Sequence, residues 1–161
     1  MVRKPDEVVK KPDERADRPP PLLAVIAQAE AVMANELHAR LDAAGYGDQT
    51  LAQSRLFGCI PPDGIRLTAL AERAQLTKQA AGELIDQMEA AGYVARSADP
   101  TDARAKLIRF TDRGWRAVDA ALGIFDDLEA ALADVVGAEQ VATARQVLEA
   151  FPNLVRADDA S

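Results

Sequence analysis

Apolar residues recur three and four positions apart along most of this chain, and alternate in only one short stretch near its middle. From Pro21, a residue suited to a first helical turn, Leu22, Ile26, Met33, Leu37 and Leu41 keep helical spacing up to Gly45-Tyr46-Gly47. A shorter helix is expected over 50–58, with Asp48 or Thr50 as its cap, before Pro61-Pro62-Asp63-Gly64 forces a turn. After an extended piece at 65–67, Thr68 is expected to cap a helix over 69–74 with Leu70 and Ala71 inward. Thr77 is expected to cap the next helix, to about Ala91, with Ala81, Leu84, Ile85 and Met88 on its inner face and Gly92 as its C′ glycine. A strand over 93–96, a loop over 97–103 and a returning strand over 106–110 follow, the last with Ile108 and Phe110 on one face. Thr111 caps a long helix from Asp112 to about Val136, striped by Trp115, Val118, Leu122, Phe125, Leu128, Leu132 and Val135. Gly137 breaks it, and a last helix carrying Val141, Val147, Leu148 and Phe151 is closed by Pro152.

Two helices joined by a tight turn and followed by a two-stranded hairpin are the elements of a winged helix-turn-helix. The expected fold class is therefore mainly α with a small β-hairpin wing (α+β). Residues 1–20 read as a separate tail, with prolines at 5, 12, 19 and 20, KPDE twice and little to bury, so disorder is expected there. The rest divides into a helix over 21–48, the winged helix-turn-helix over 49–115, and two helices over 116–161.

Composition narrows the function. Aromatics make up 4% of the 161 residues, which suits helices better than sheets. Cys59 is the only cysteine, so no intrachain disulfide can form and a reducing, cytoplasmic setting is expected. No apolar run approaches membrane-spanning length, and the charged N-terminus has no apolar core of a secretory signal. The formal charge of −7 argues at first against nucleic acid. Its distribution reverses that argument, because residues 63–116 hold 9 Lys/Arg against 8 Asp/Glu while residues 117–161 hold 2 against 9. Local fields depend on where charges lie, so a near-neutral middle can still present a cationic contact.

The chemistry of the middle fits a duplex. The second helix of a helix-turn-helix enters the major groove by its N-terminal end. Here that end exposes Thr77, Lys78, Gln79, Gly82 and Glu83. Thr77 and its helix start can offer N–H groups to a phosphate, Gln79 can pair with adenine, and Glu83 can accept from cytosine N4. Gly82 weakens the helix by roughly 1 kcal/mol relative to alanine, a cost that close approach to DNA or to a packed neighbour would justify. At the hairpin, Asp99-Pro100 starts a turn that projects Arg104, whose guanidinium suits a narrow minor groove. Asp102 is expected to hold Arg104 by a charge-assisted bond, and Arg96 and Lys106 flank the wing within reach of phosphates.

Over Leu67 to Gly114 the chain resembles the MarR (multiple antibiotic resistance regulator) family. The resemblance rests on Glu89-x-x-Gly92-Tyr93-Val94 at the end of the recognition helix, then Asp102-x-Arg104 and Ile108-x-Phe110-Thr111-x-x-Gly114 across the wing. It implies a homodimer whose N- and C-terminal helices interlock, so that Leu22–Leu41 and residues 115–151 form the seam. It also implies a transcription regulator bound to palindromic double-stranded operator DNA, commonly a repressor released by a small, often phenolic, ligand. The chain departs from the family at Glu83, where many members carry a basic residue, and at Phe110, which replaces the usual leucine before threonine.

Other chemistries find little support. Cys59 ends the second helix beside Ile60, the place of a buried thiol and not of the family's oxidant sensors, which use a cysteine near the start of the first helix. His38 is the only histidine; as a metal ligand it would need Glu36 or Asp42, and it reads first as a polar residue on the first helix, with the lining of an effector pocket as the weaker alternative. No metal site and no cofactor are expected. The sequence holds no phosphate-binding loop, dinucleotide fingerprint or nucleophile–His–Asp set, so no enzymatic activity is expected. The alternative from another class is a winged-helix module for protein–protein contact without sequence-specific DNA binding, favoured by the acidic balance and Glu83.

Overall fold

The computed structural model describes residues 18–158. The tail expected over 1–20 lies, for residues 1–17, outside the described residues. Helix α1 is Leu22–Leu41, started by bonds from the Ala24 and Val25 amides to the Pro21 carbonyl. Up to Met33 it carries Leu22, Leu23, Val25, Val32 and Met33 exposed. From Ala34 onward the chain forms a second compact unit. There α1 ends on buried Leu41 and passes through a widened turn at Asp42–Tyr46, where Gly45 takes φ +89°.

Helix α2 is Leu51–Phe57, and Thr50 and Gln53 close a reciprocal capping box at its start. Strand β1 is Ile65–Arg66 and runs directly into α3, Leu67–Arg73. The helix thus begins before Thr68, with Arg66 at the N-cap and no side-chain cap bond, because the strand itself sets the extended entry. The turn to α4 places Gln75 in the left-handed region at φ 56°, where glycine would sit without strain. Helix α4 is Lys78–Ala90; the Thr77 hydroxyl accepts from the Ala80 amide, and Gly92 at φ +78° ends the turn that follows.

Strands β2, Val94–Asp99, and β3, Asp102–Phe110, pair antiparallel, with β1 on the other side of β3. The wing therefore differs from the expected seven-residue loop: both strands extend into it, and only Pro100 and Thr101 separate them. Helix α5 is Asp112–Val136, capped by Thr111, and Gly137 at φ +96° separates it from α6, Ala138–Asp158. Pro152 does not close α6: a proline removes one backbone donor and weakens a helix without having to end it, and the backbone continues helical to Asp158.

The core lies inside the winged unit. Leu56, Ile60, Leu70, Ile85, Met88, Val94 and Ile108 form one buried cluster, with Phe57, Ile65, Leu67, Leu84 and Phe110 packed against it. The inner face expected for α4 is the observed one, with Ala81, Ile85 and Met88 buried. Each such side chain contributes roughly 1.5–3 kcal/mol by leaving water.

Candidate nucleic-acid interface

The fold turns α4 outward by burying its Ala81–Ile85–Met88 face, which leaves Thr77, Lys78, Gln79 and Glu83 exposed. Gln79 and Glu83, one turn apart, are joined by a 3.1 Å hydrogen bond from the Gln79 amide. A Cβ built on Gly82 would meet only the Leu67 Cδ2, at 3.7 Å, an ordinary contact. Packing within the chain therefore does not require a glycine at this position.

Arg104 lies where the wing loses its register. Ala98 pairs with Lys106 but Asp99 pairs with Asp102, so residues 103–105 of β3 have no partners across the hairpin. Both Arg104 and Lys106 are exposed. The Asp102 carboxylate accepts the backbone amide of Arg104 at 3.0 Å, while its other oxygen lies 3.9 Å from the Arg66 guanidinium. The expected Asp102–Arg104 charge pair is thus replaced by a bond that fixes the Arg104 backbone, and its guanidinium has no ion pair among the described residues.

A set of contacts that sequence reasoning missed closes the wing tip. Asp99, buried, accepts the Thr101 hydroxyl at 2.7 Å, the Thr101 amide at 2.8 Å and the Arg66 Nε at 2.7 Å. The two Thr101 bonds and the Arg66 guanidinium hold the Asp99 carboxyl down at about 2. Aspartate two residues before threonine in a proline turn was the available local signal; Arg66, distant in sequence, gave none.

Arg96 is also committed inside the molecule. Its guanidinium bonds to Glu89 and, at 2.6 Å, to Asp86, and its backbone amide donates to Glu89 at 3.0 Å. The residue expected at a phosphate therefore fastens β2 to the second half of α4. Lys78, Arg104 and Lys106 differ, since none has an ion pair among the described residues. The cations of the middle segment thus divide into bracing arginines and unengaged ones.

Behind α4 a second knot fixes its far end. The buried Tyr93 hydroxyl bonds to Asp48, and Arg113 stacks 4.4 Å from the Tyr93 ring centroid. Arg113 also donates to the Ala91 carbonyl and to Asp48, each at 2.8 Å. Burial pushes the Tyr93 hydroxyl above its ordinary value, and the Asp48 carboxylate adds to that shift. Burial pushes the Asp48 carboxyl up as well, but Tyr93 and Arg113 outweigh it and hold that carboxyl below its ordinary value. Gly114 completes the junction: a Cβ there would lie 2.1 Å from the Tyr93 carbonyl oxygen.

The remaining candidates lie elsewhere. Cys59 is a free, half-buried thiol packed against the core. His38 is half-buried, with its Nδ1 buried and lacking a hydrogen-bond partner among the described residues. A cavity of about 540 Å³ opens between α5 and α6, lined by Ala130, Ala133, Val141 and Ala142 with Glu129 and Arg145, and His38 is not part of it. No helix among the described residues is long and apolar enough to cross a membrane.

Comparison with known proteins meets this geometry. Residues 62–106 match the family model of the MarR family, a span that holds β1, α3, α4, β2 and Arg104. The transcriptional regulator HosA of Escherichia coli O111:H- is 36% identical over 94 residues, covering 58% of this chain and 64% of that relative. The chain thus spans less than two thirds of the length of that relative. Among solved structures, apo wild-type MarR from E. coli superposes with a TM-score of 0.66 at 23% identity, over 83% of this chain and 98% of that one. The S. aureus MepR–DNA complex gives a TM-score of 0.58 at 23% identity, over 83% and 97%. These likenesses show the winged-helix fold expected from the sequence.

Proposed function

We propose that this chain, a MarR-family winged-helix protein by its segment 62–106, is a homodimeric transcription regulator that binds palindromic operator DNA. The observation that carries the reading is the unengaged cationic set. Lys78 stands on the exposed start of α4, and Arg104 and Lys106 stand on the wing, none with an ion pair among the described residues, while Arg66 and Arg96 beside them are held by carboxylates. That division suits a helix in the major groove and a wing at the minor groove. The relative captured as a MepR–DNA complex has the same fold, which supports a duplex as partner.

In this reading Thr77, Lys78, Gln79, Gly82 and Glu83 face the major groove, Arg104 enters the minor groove, and Lys106 meets a phosphate. Arg96 and Asp102 act as positioning residues, the first holding the wing against α4 and the second fixing the Arg104 backbone. Residues 21–48 and 116–161 supply the dimer. Apolar side chains exposed on α1, α5 and α6, among them Leu23, Leu122, Phe125, Val135 and Phe151, support that assignment. A two-fold dimer reads a two-fold site, hence the palindrome. Release of a repressed operator by a small phenolic ligand follows the family resemblance, with His38 and its unpartnered Nδ1 as the candidate ligand contact.

Selection from a randomised duplex pool tests the reading. The full chain is expected to enrich a palindrome, and Arg104→Ala to bind the enriched site at least about tenfold more weakly. Equal recovery of all sequences by a folded dimer would overturn it in favour of a protein-contact module.

A further inference from the structure

The outer face of α4 offers few side chains that are not already engaged. Asp86 takes the Arg96 guanidinium, and the Gln87 carbonyl oxygen accepts from the Gln53 amide at 2.9 Å. Ahead of them stand Lys78 and the Gln79–Glu83 pair, joined Nε2 to Oε1 at 3.1 Å. A carboxylate has no proton to donate, so this bond requires the Gln79 amide to turn its nitrogen toward Glu83. The Gln79 carbonyl oxygen then faces away from Glu83. Together the pair exposes mostly acceptors: the Gln79 oxygen and the lone pairs that Glu83 retains.

That arrangement changes what Gln79 can read. A lone glutamine matches adenine by offering a donor to N7 and an acceptor to N6 side by side. Here Glu83 takes one of the two Nε2 hydrogens, and the added negative charge disfavours the adenine N7 acceptor. Cytosine has no such conflict, because beside its N4 amino group it carries only a C5–H. Guanine and thymine expose acceptors at the corresponding edge and would meet acceptors. Gly82 lies between the two side chains in sequence, and the chain has room for a Cβ there. Its absence leaves bare backbone beside the pair, where a base edge can come close.

Resting on the DNA-binding reading above, we propose that Gln79 and Glu83 act as one acceptor unit that selects a cytosine amino group in the major groove of each half-site. The acidic residue on the recognition helix is then a specificity element that lowers general affinity for duplex in exchange for discrimination at one base pair.

The test repeats the pool selection with the full chain, Glu83→Ala and Gln79→Ala, each first shown to keep wild-type helix content and assembly state. The wild type is expected to fix a cytosine at one position of each half-site. Both variants are expected to lose that preference by about tenfold or more while retaining the rest of the site. Glu83→Ala is also expected to bind non-cognate duplex more tightly, since a negative charge has left a helix that faces phosphates. A preference that Glu83→Ala retains overturns the paired reader and leaves the DNA-binding reading standing. A fixed adenine that only Gln79→Ala relaxes does the same, since Gln79 would then read alone. A wild type that enriches nothing overturns both.

Discussion

The winged unit and the long helices that flank it in sequence use apolar residues in opposite ways. In the first, Leu70, Ala81 and Ile85 are 0% exposed, and the bracing arginines find carboxylates within the chain. In the second, Val135 of α5 is 81% exposed, Leu23 of α1 72% and Leu122 55%. Both regions have helical periodicity, yet only one closes on itself. A stripe of that size left open to water is costly unless a second surface covers it. Charge follows the same division: the winged segment is nearly balanced, while residues 117–161 hold most of the negative excess. The comparison separates a unit that closes on itself from helices that leave apolar surface open, a division that suits the proposed dimer.

The sharpest way to break that contrast is a charge in the open stripe. Leu122→Asp is expected to weaken self-association by about 3–6 kcal/mol, since a two-fold interface loses the same burial twice. Sedimentation should find monomers with unchanged helix content; an undisturbed dimer would move the seam elsewhere. Inside the closed unit the loss should appear as stability instead. Ile85→Ala is expected to cost about 2–5 kcal/mol in urea unfolding, through lost burial and the cavity left behind. A cost below about 1 kcal/mol would mean the unit is packed less tightly than the Leu56–Ile108 cluster implies.

Gly82 sharpens the comparison from within the winged unit, as a place where stability is given up on the surface. Gly82→Ala is expected to raise stability by about 1 kcal/mol, because the new methyl meets only Leu67 at 3.7 Å. Duplex affinity is expected to fall in the same variant, measured by anisotropy. Stabilisation with unchanged affinity would remove the reason for a glycine at the interface. Acid should have the smallest effect. With Asp99 held at about 2 against an ordinary 3.8, its contribution to the wing is complete above the ordinary value and is lost only as pH falls through about 2. Fluorescence or NMR of the wing should therefore be indifferent to pH between 5 and 8, and a transition there would contradict the Asp99–Thr101–Arg66 lock.

Much of this architecture was legible because it is local. The Thr77 and Thr111 caps, Gly92 after α4, the buried face of α4 and the extent of α5 all follow from residues within a turn or two of one another. The misreadings arise where distant residues intervene. The wing turn is tighter than expected because Arg66, on another strand, helps Asp99 and Thr101 close it. Arg96 looked available because its partners, Asp86 and Glu89, sit on the preceding helix and face it only after the hairpin folds back. Asp102 supports Arg104 through the backbone, a geometry that residue spacing does not distinguish from a charge pair. In the candidate site, sequence thus supplies the candidate residues, and only the fold shows which of their charges have a partner among the described residues.

The most direct test is the salt dependence of duplex binding by the full chain, read by fluorescence anisotropy at several salt concentrations beside Arg104→Ala. The account predicts tight binding that weakens steeply with salt, because each neutralised phosphate releases counterions, and a slope smaller by about one in the variant. Binding absent at low salt, or a slope that Arg104→Ala leaves unchanged, would contradict it.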